Sequence, residues 1–159
     1  MLFRSCIWDV EGKTGVLDIP SHCVTHNHFV YSAAWNSVGT HIVTGAGDNS
    51  AVVWDARSGE AVRRFVGETF DFRMVSFFDN DRQIISANDD YSVRFWFAGT
   101  GREAARLLHR QAFISAAMMD KSGQRLLTAS ADGIARIWRL PPTLEDLAAE
   151  ARSSLRRCL

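Results

Sequence analysis

Tryptophan recurs in this chain at a fixed interval: Trp54, Trp96 and Trp138 are 42 residues apart, and Trp8 precedes the first by 46. Such a period constrains the fold more than any local motif, because repeated units have to bury equivalent faces against one another. Two further residues travel with each Trp. A hydroxyl stands ten residues before it and an Asp six before it, giving the trios Thr44, Asp48, Trp54; Ser86, Asp90, Trp96; and Thr128, Asp132, Trp138.

Each unit reads as four short apolar or β-branched runs. In the first they are FVYSAAW (29–35), HIVTG (41–45), AVVW (51–54) and AVRRFV (61–66), separated by NSVG, AGDNS and DARSG, which carry the residues that tight turns need. The second unit repeats the series as FRMVSF, QIISA, SVRFW and EAARLL. The third gives FISAAMM, RLLTA and IARIW and then meets Leu140-Pro141-Pro142, where two missing backbone donors stop a fourth strand. Between these runs there is no helical period, which excludes an α/β arrangement and predicts small antiparallel sheets.

Period, strand count, the Trp-Asp pairs of CIWDVEGKTG and VVWDARSG, and the WNSVG turn together resemble the WD-repeat β-propeller family over residues 1 to about 140. The resemblance implies an all-β partial propeller. Its predicted parts are a partial blade at 1–21 with third and fourth strands at 2–9 and 15–20, repeats at 22–67 and 68–109, and a repeat at 110–140 lacking its fourth strand. For 141–159 the sequence predicts a short C-terminal α-helix, with Thr143 as cap, acidic residues in its first turn and Arg152, Arg156 and Arg157 near its end.

The family's pattern also implies a role for the trios. The turn Asp, the hydroxyl of the second strand and the Trp of the third would join a His from the loop before the first strand in a buried hydrogen-bonded chain. His26 fits that place ahead of Thr44, Asp48 and Trp54. At the equivalent positions the later units carry Glu68 and Arg110, with His109 one residue away, so the later networks are expected to be closed differently. Near one rim the resemblance nominates His28, Tyr31, Asp71, Arg73 and Asp89 for partner contact.

Ser or Thr with His and Asp are also the residue types of a nucleophilic triad. A triad is needed once, whereas this set recurs with the fold's period and includes a Trp without acid–base chemistry, so the expectation is a brace and not an enzyme. The cluster His22, Cys23, His26, His28 offers zinc-type ligands and defines the alternative, a metal-binding or enzymatic propeller. A zinc site usually draws on two separated pieces of chain, and no second cluster follows, so no metal and no cofactor are expected.

Eighteen basic residues balance eighteen acidic ones. That balance gives no reason to expect nucleic acid or an anionic membrane as partner. Arg supplies all the basic residues except Lys13 and Lys121, a bias that suggests a GC-rich, bacterial genome. Cys6, Cys23 and Cys158 are odd in number and form no CxxC, which predicts no disulfide framework and a reducing, cytoplasmic setting. The predicted function is a non-catalytic scaffold for a protein or peptide partner. Because the blades do not close, three states are open: a fragment of a longer propeller without independent function, self-association in which GVLDIP (15–20) of one copy completes the last blade of another, or a strained small ring.

Overall fold

The computed structural model describes residues 3–8, 22–67, 69–109 and 112–141. Their strands are β1 (Phe3–Ile7), β2 (His22–His26), β3 (Val30–Trp35), β4 (His41–Ala46), β5 (Ser50–Asp55), β6 (Ala61–Val66), β7 (Phe72–Phe78), β8 (Gln83–Asn88), β9 (Ser92–Phe97), β10 (Glu103–Leu108), β11 (Ile114–Met119), β12 (Arg125–Ser130) and β13 (Ala135–Arg139). No helix occurs among the described residues, and none there could cross a membrane. The C-terminal helix predicted for 141–159 falls almost wholly outside them.

Four antiparallel sheets result: β1-β2, β3-β4-β5-β6, β7-β8-β9-β10 and β11-β12-β13. The described residues are therefore all-β, with sheets consistent with partial propeller blades. The turns that the sequence marks do the folding locally. After each turn Asp the chain needs a left-handed residue, filled by Asn49, Tyr91 and Gly133, with φ of 60°, 64° and 78°. Between first and second strands the left-handed place is Gly39, Asp81 or Gly123. Asp81 lacks glycine's freedom, and its carboxylate instead accepts from the Ser37 N–H at 2.9 Å and the Ser37 hydroxyl at 2.6 Å, tying one sheet's turn to the next.

The sheets stack face to face, and the repeat makes each interface from equivalent positions. Val43, Val53 and Phe65 of the first four-stranded sheet pack with Phe72, Val75, Ile84 and Trp96 of the second. Ile85, Val93 and Phe95 then pack with Ile114, Ala117 and Leu126 of the third. The outward face of β11-β12-β13 breaks the series. Ile85 and Phe95 are fully buried, but their counterparts Leu127 and Ile137 are 44% and 72% exposed.

Two sequence expectations need correction at the N-terminal end. HCVTH (22–26) is a strand paired with β1, not a loop, and the register sets Cys6 opposite Cys23 with Cα atoms 4.1 Å apart and a disulfide between them. Cys spacing along the chain gave no hint of this pairing, because it depends on strand register. The fourth strand expected at 15–20 lies outside the described residues.

Removing the same side-chain volume on the two kinds of face should separate them. Ile85→Ala is expected to cost roughly 2–5 kcal/mol, and Leu127→Ala under about 1 kcal/mol, in urea denaturation. Equal losses would show that the third sheet's outward face is covered within the folded chain.

Candidate functional site

His26 ends β2, Thr44 lies on β4, Asp48 in the β4–β5 turn and Trp54 on β5, so sheet pairing and stacking bring all four together. The Trp54 indole N–H lies 2.7 Å from Thr44 Oγ1, and Thr44 Oγ1 lies 2.7 Å from His26 Nε2. His26 Nδ1 is 3.2 Å from Asp48 Oδ2. An indole only donates and a carboxylate only accepts, so the neutral imidazole donates from Nδ1 to Asp48 and accepts the Thr44 hydroxyl proton at Nε2. Asp48 also accepts from the Ser50 hydroxyl at 2.6 Å and the Asn27 N–H at 3.0 Å.

Burial holds the His26 pKa below its usual value, against the pull of Asp48. For Asp48, burial alone would push the carboxyl up, but the Ser50 hydroxyl, the Asn27 N–H and His26 bring it below the ordinary carboxylate value. Both shifts favour a neutral ring beside an ionised carboxylate. No member has an unsatisfied nucleophilic atom facing an open cavity.

The other two networks differ. Trp96 Nε1 donates to Ser86 Oγ at 2.9 Å, but Asp90 is met by Ser92 and by the guanidinium of Arg94. Arg94 is only 8% exposed. It also reaches Glu103 Oε2 at 2.6 Å and lies 3.9 Å from the Phe70 ring centre. In the third sheet Trp138 Nε1 and His109 Nε2 both lie 2.9 Å from Thr128 Oγ1, while Arg136 pairs with Asp132 at 2.7 Å. His109 thus reaches the hydroxyl although it stands one residue off the period. Glu68 and Arg110 lie outside the described residues. Sequence reading missed both arginines; the signal was their position, since Val52, Arg94 and Arg136 are equivalent and Val52 is buried.

The rim candidates also come together. Arg73 stacks on Tyr31 with its guanidinium carbon 4.2 Å from the ring centre, and Arg73 Nη2 is 3.9 Å from Asp71 Oδ2. The Asp71 N–H donates to Asp89 Oδ1 at 2.8 Å. A Cβ on Gly47 would lie 2.6 Å from His28 Nδ1 and 2.9 Å from Tyr31 Oη, so those rings close over the turn backbone. This group spans the first and second four-stranded sheets at one end of their first strands.

Two of the four residues behind the zinc-type alternative are engaged elsewhere. Cys23 is bonded to Cys6, and both ring nitrogens of His26 are engaged by Thr44 and Asp48. Among the described residues no group of three or more His, Cys, Asp or Glu could hold a metal ion.

Comparison with known proteins decides the family. The model of the WD domain, G-beta repeat, matches residues 16–55 and 105–139. The chain belongs to the WD-repeat family. Among relatives of this WD-repeat chain, protein tipD of Dictyostelium discoideum is 32% identical over 115 residues, covering 72% of this chain and 19% of that protein. A guanine nucleotide-binding protein subunit beta of Oryza sativa subsp. japonica is 30% identical over 106 residues, covering 62% of this chain and 28% of its own length. Protein HIR1 of Mycosarcoma maydis is 26% identical, covering 72% and 13%. The match thus spans under a third of each relative. All three organisms are eukaryotes, so these relatives lend nothing to the bacterial origin suggested by the arginine bias.

Two measurements test the division between brace and rim. Trp54→Ala is expected to lose roughly 3–5 kcal/mol of stability, as buried aromatics do, whereas Arg73→Ala should stay within about 1 kcal/mol. The pH dependence follows from the depressed pKa of His26 and His109, each lowered first by burial. The unfolded chain binds protons on these rings more readily than the folded one. Their contribution is therefore full above a pH of about 6.5 and declines as the pH falls below it. Denaturation curves at pH 7.5 and 5.5 should show the loss, and His26→Gln should reduce it; an unchanged slope would contradict the neutral-ring assignment.

Proposed function

We propose that this WD-repeat chain is a non-catalytic scaffold that binds a protein or peptide partner through the rim group of His28, Tyr31, Asp71, Arg73 and Asp89. The observation that carries the reading is the Tyr31–Arg73–Asp71–Asp89 linkage, which keeps a stacked cation and two carboxylates preorganised where their loss costs the fold little. Aromatic and Arg side chains are the types that dominate binding energy at interfaces. The trios, in contrast, are committed to bracing: Thr44 and Thr128 are fully buried and their hydroxyls are taken up by Trp and His.

Relatives support the general role. A guanine nucleotide-binding protein subunit beta is by name one subunit of an assembly. Cytoplasmic location belongs to the same proposal, and in a reducing setting the Cys6–Cys23 bond would be a transient one. We take the repeats at 22–67, 68–109 and 110–140 as the sequence units of this scaffold; the sheets are offset from them, since β2 pairs with β1.

Photo-crosslinking from the rim, in cells expressing the chain, tests the reading. A defined set of crosslinked proteins is expected with wild type, and Arg73→Glu with Tyr31→Ala should remove it at an unchanged melting temperature. An identical set from the variant would place recognition elsewhere.

A further inference from the structure

β1 and β13 are the same element of the repeat, since each is the strand that leads to a periodic Trp, Trp8 and Trp138. Each lacks what the other has. β13 carries two inner strands, β12 and β11, and among the described residues nothing pairs with its outer edge. β1 carries the outer strand β2, and among the described residues nothing pairs with its inner edge. Placing β13 beside β2 would give β11-β12-β13-β2, the order of both complete sheets.

The exposed faces fit the same joining. Ala33 and Ile42 are the counterparts of Val75 and Ile84, and of Ala117 and Leu126, which pack against the preceding sheet. Ala33 is exposed and Trp35, the counterpart of Phe77 and Met119, is 52% exposed, while Ile42 is already buried. These residues line a groove of about 320 Å³ beside β1, with Cys6 and Trp8 on its other wall. The outward face of the third sheet, with Leu127, Ile137 and Met118, bounds an apolar groove of about 260 Å³. Within one chain, faces of these two kinds meet twice.

We propose that copies of this chain associate head to tail by strand exchange, β13 of one copy replacing β1 beside β2 of the next, and that the Cys6–Cys23 disulfide blocks the exchange until a thiol reduces it. Both Cys6 and Cys23 are half-exposed, so a small thiolate can reach them. A dithiol supplies the electrons: its thiolate attacks one Sγ, its second thiol resolves the mixed disulfide, and two electrons and two protons pass to Cys6 and Cys23 as the dithiol cyclises. The freed β1 then competes as one edge of a two-stranded sheet, which is marginal alone. β1 and β13 are both five residues long, so backbone pairing is exchanged nearly evenly. Burial of Leu127 and Ile137 under β3 of the next copy drives the reaction. Two copies would close a ring of six sheets, within the range propellers adopt.

Light scattering on the full chain, in a Cys158→Ser background, tests this with dithiothreitol as the dithiol. The oxidised protein is expected at its monomer mass of 17.8 kDa, and the reduced protein at twice that. Cys6→Ser should double its mass without reductant. Under reduction, Ile137→Glu alone and Ala33→Glu alone should stay monomeric, because each lacks one face, whereas their equimolar mixture should recover the doubled mass. Near-UV circular dichroism checks that both exposed-site variants fold. A reduced wild type and Cys6→Ser that remain monomeric would overturn the proposal. So would a dimer indifferent to Ile137→Glu, a mixture that stays monomeric, or an oxidised protein that is already dimeric.

Discussion

An indole N–H taken out of water has one proton to give and needs an acceptor, and three periodic indoles, two buried and one half-buried, sit in this stack of sheets. Each is answered by a hydroxyl on the adjacent strand, Thr44, Ser86 or Thr128. The hydroxyl in turn needs somewhere to send its own proton, and that choice decides how one sheet is joined to the next. His26 belongs to β2 and His109 follows β10, so in two cases the ring that meets the hydroxyl comes from the preceding sheet. The hydrogen-bonded chain is therefore a clasp between sheets as well as a brace within one.

The interface between the first and second four-stranded sheets is held by other means. Val75 N–H donates to Ser32 Oγ at 3.2 Å, and Ser37 donates to Asp81 at the far turn. Phe65 and Phe72 pack on Trp96 with ring centres 5.8 and 5.7 Å away. Arg94 compensates Asp90 from within its own sheet, and its burial is tolerable because it is paired with two carboxylates and stacked on Phe70. Positive charge replaces a neutral ring here, so acidification through the histidine range bears on two clasps and leaves this one intact.

Most of the architecture was legible in the sequence because strand alternation, turn residues and the Trp period all point to one arrangement. Strands such as Ala61–Val66 and Glu103–Leu108 coincide with the runs read from sequence. Legibility failed where the outcome depends on register between distant pieces. Cys6 meets Cys23 only because β2 begins at His22, and a reading that spent residues 15–20 on the fourth strand could not bring them opposite. His109 was visible but one residue out of period, and its side chain nevertheless reaches Thr128. Arg94 drew no expectation at all, although it stands at the place of the buried Val52 and is itself buried.

The rim group lies across the interface that lacks a histidine clasp. Tyr31 belongs to β3 and Arg73 to β7, so their stacking bridges the two sheets at one end, as Ser37 and Asp81 do at the other. A partner gripping Tyr31 and Arg73 would therefore touch two sheets at once and add to the contacts that hold them together. Where His26 and His109 close the interface from inside, burial makes the groups unavailable for recognition. Where that closure is missing, the Tyr31–Arg73 stack spans the two sheets at an accessible end, while the apolar core between them carries the packing.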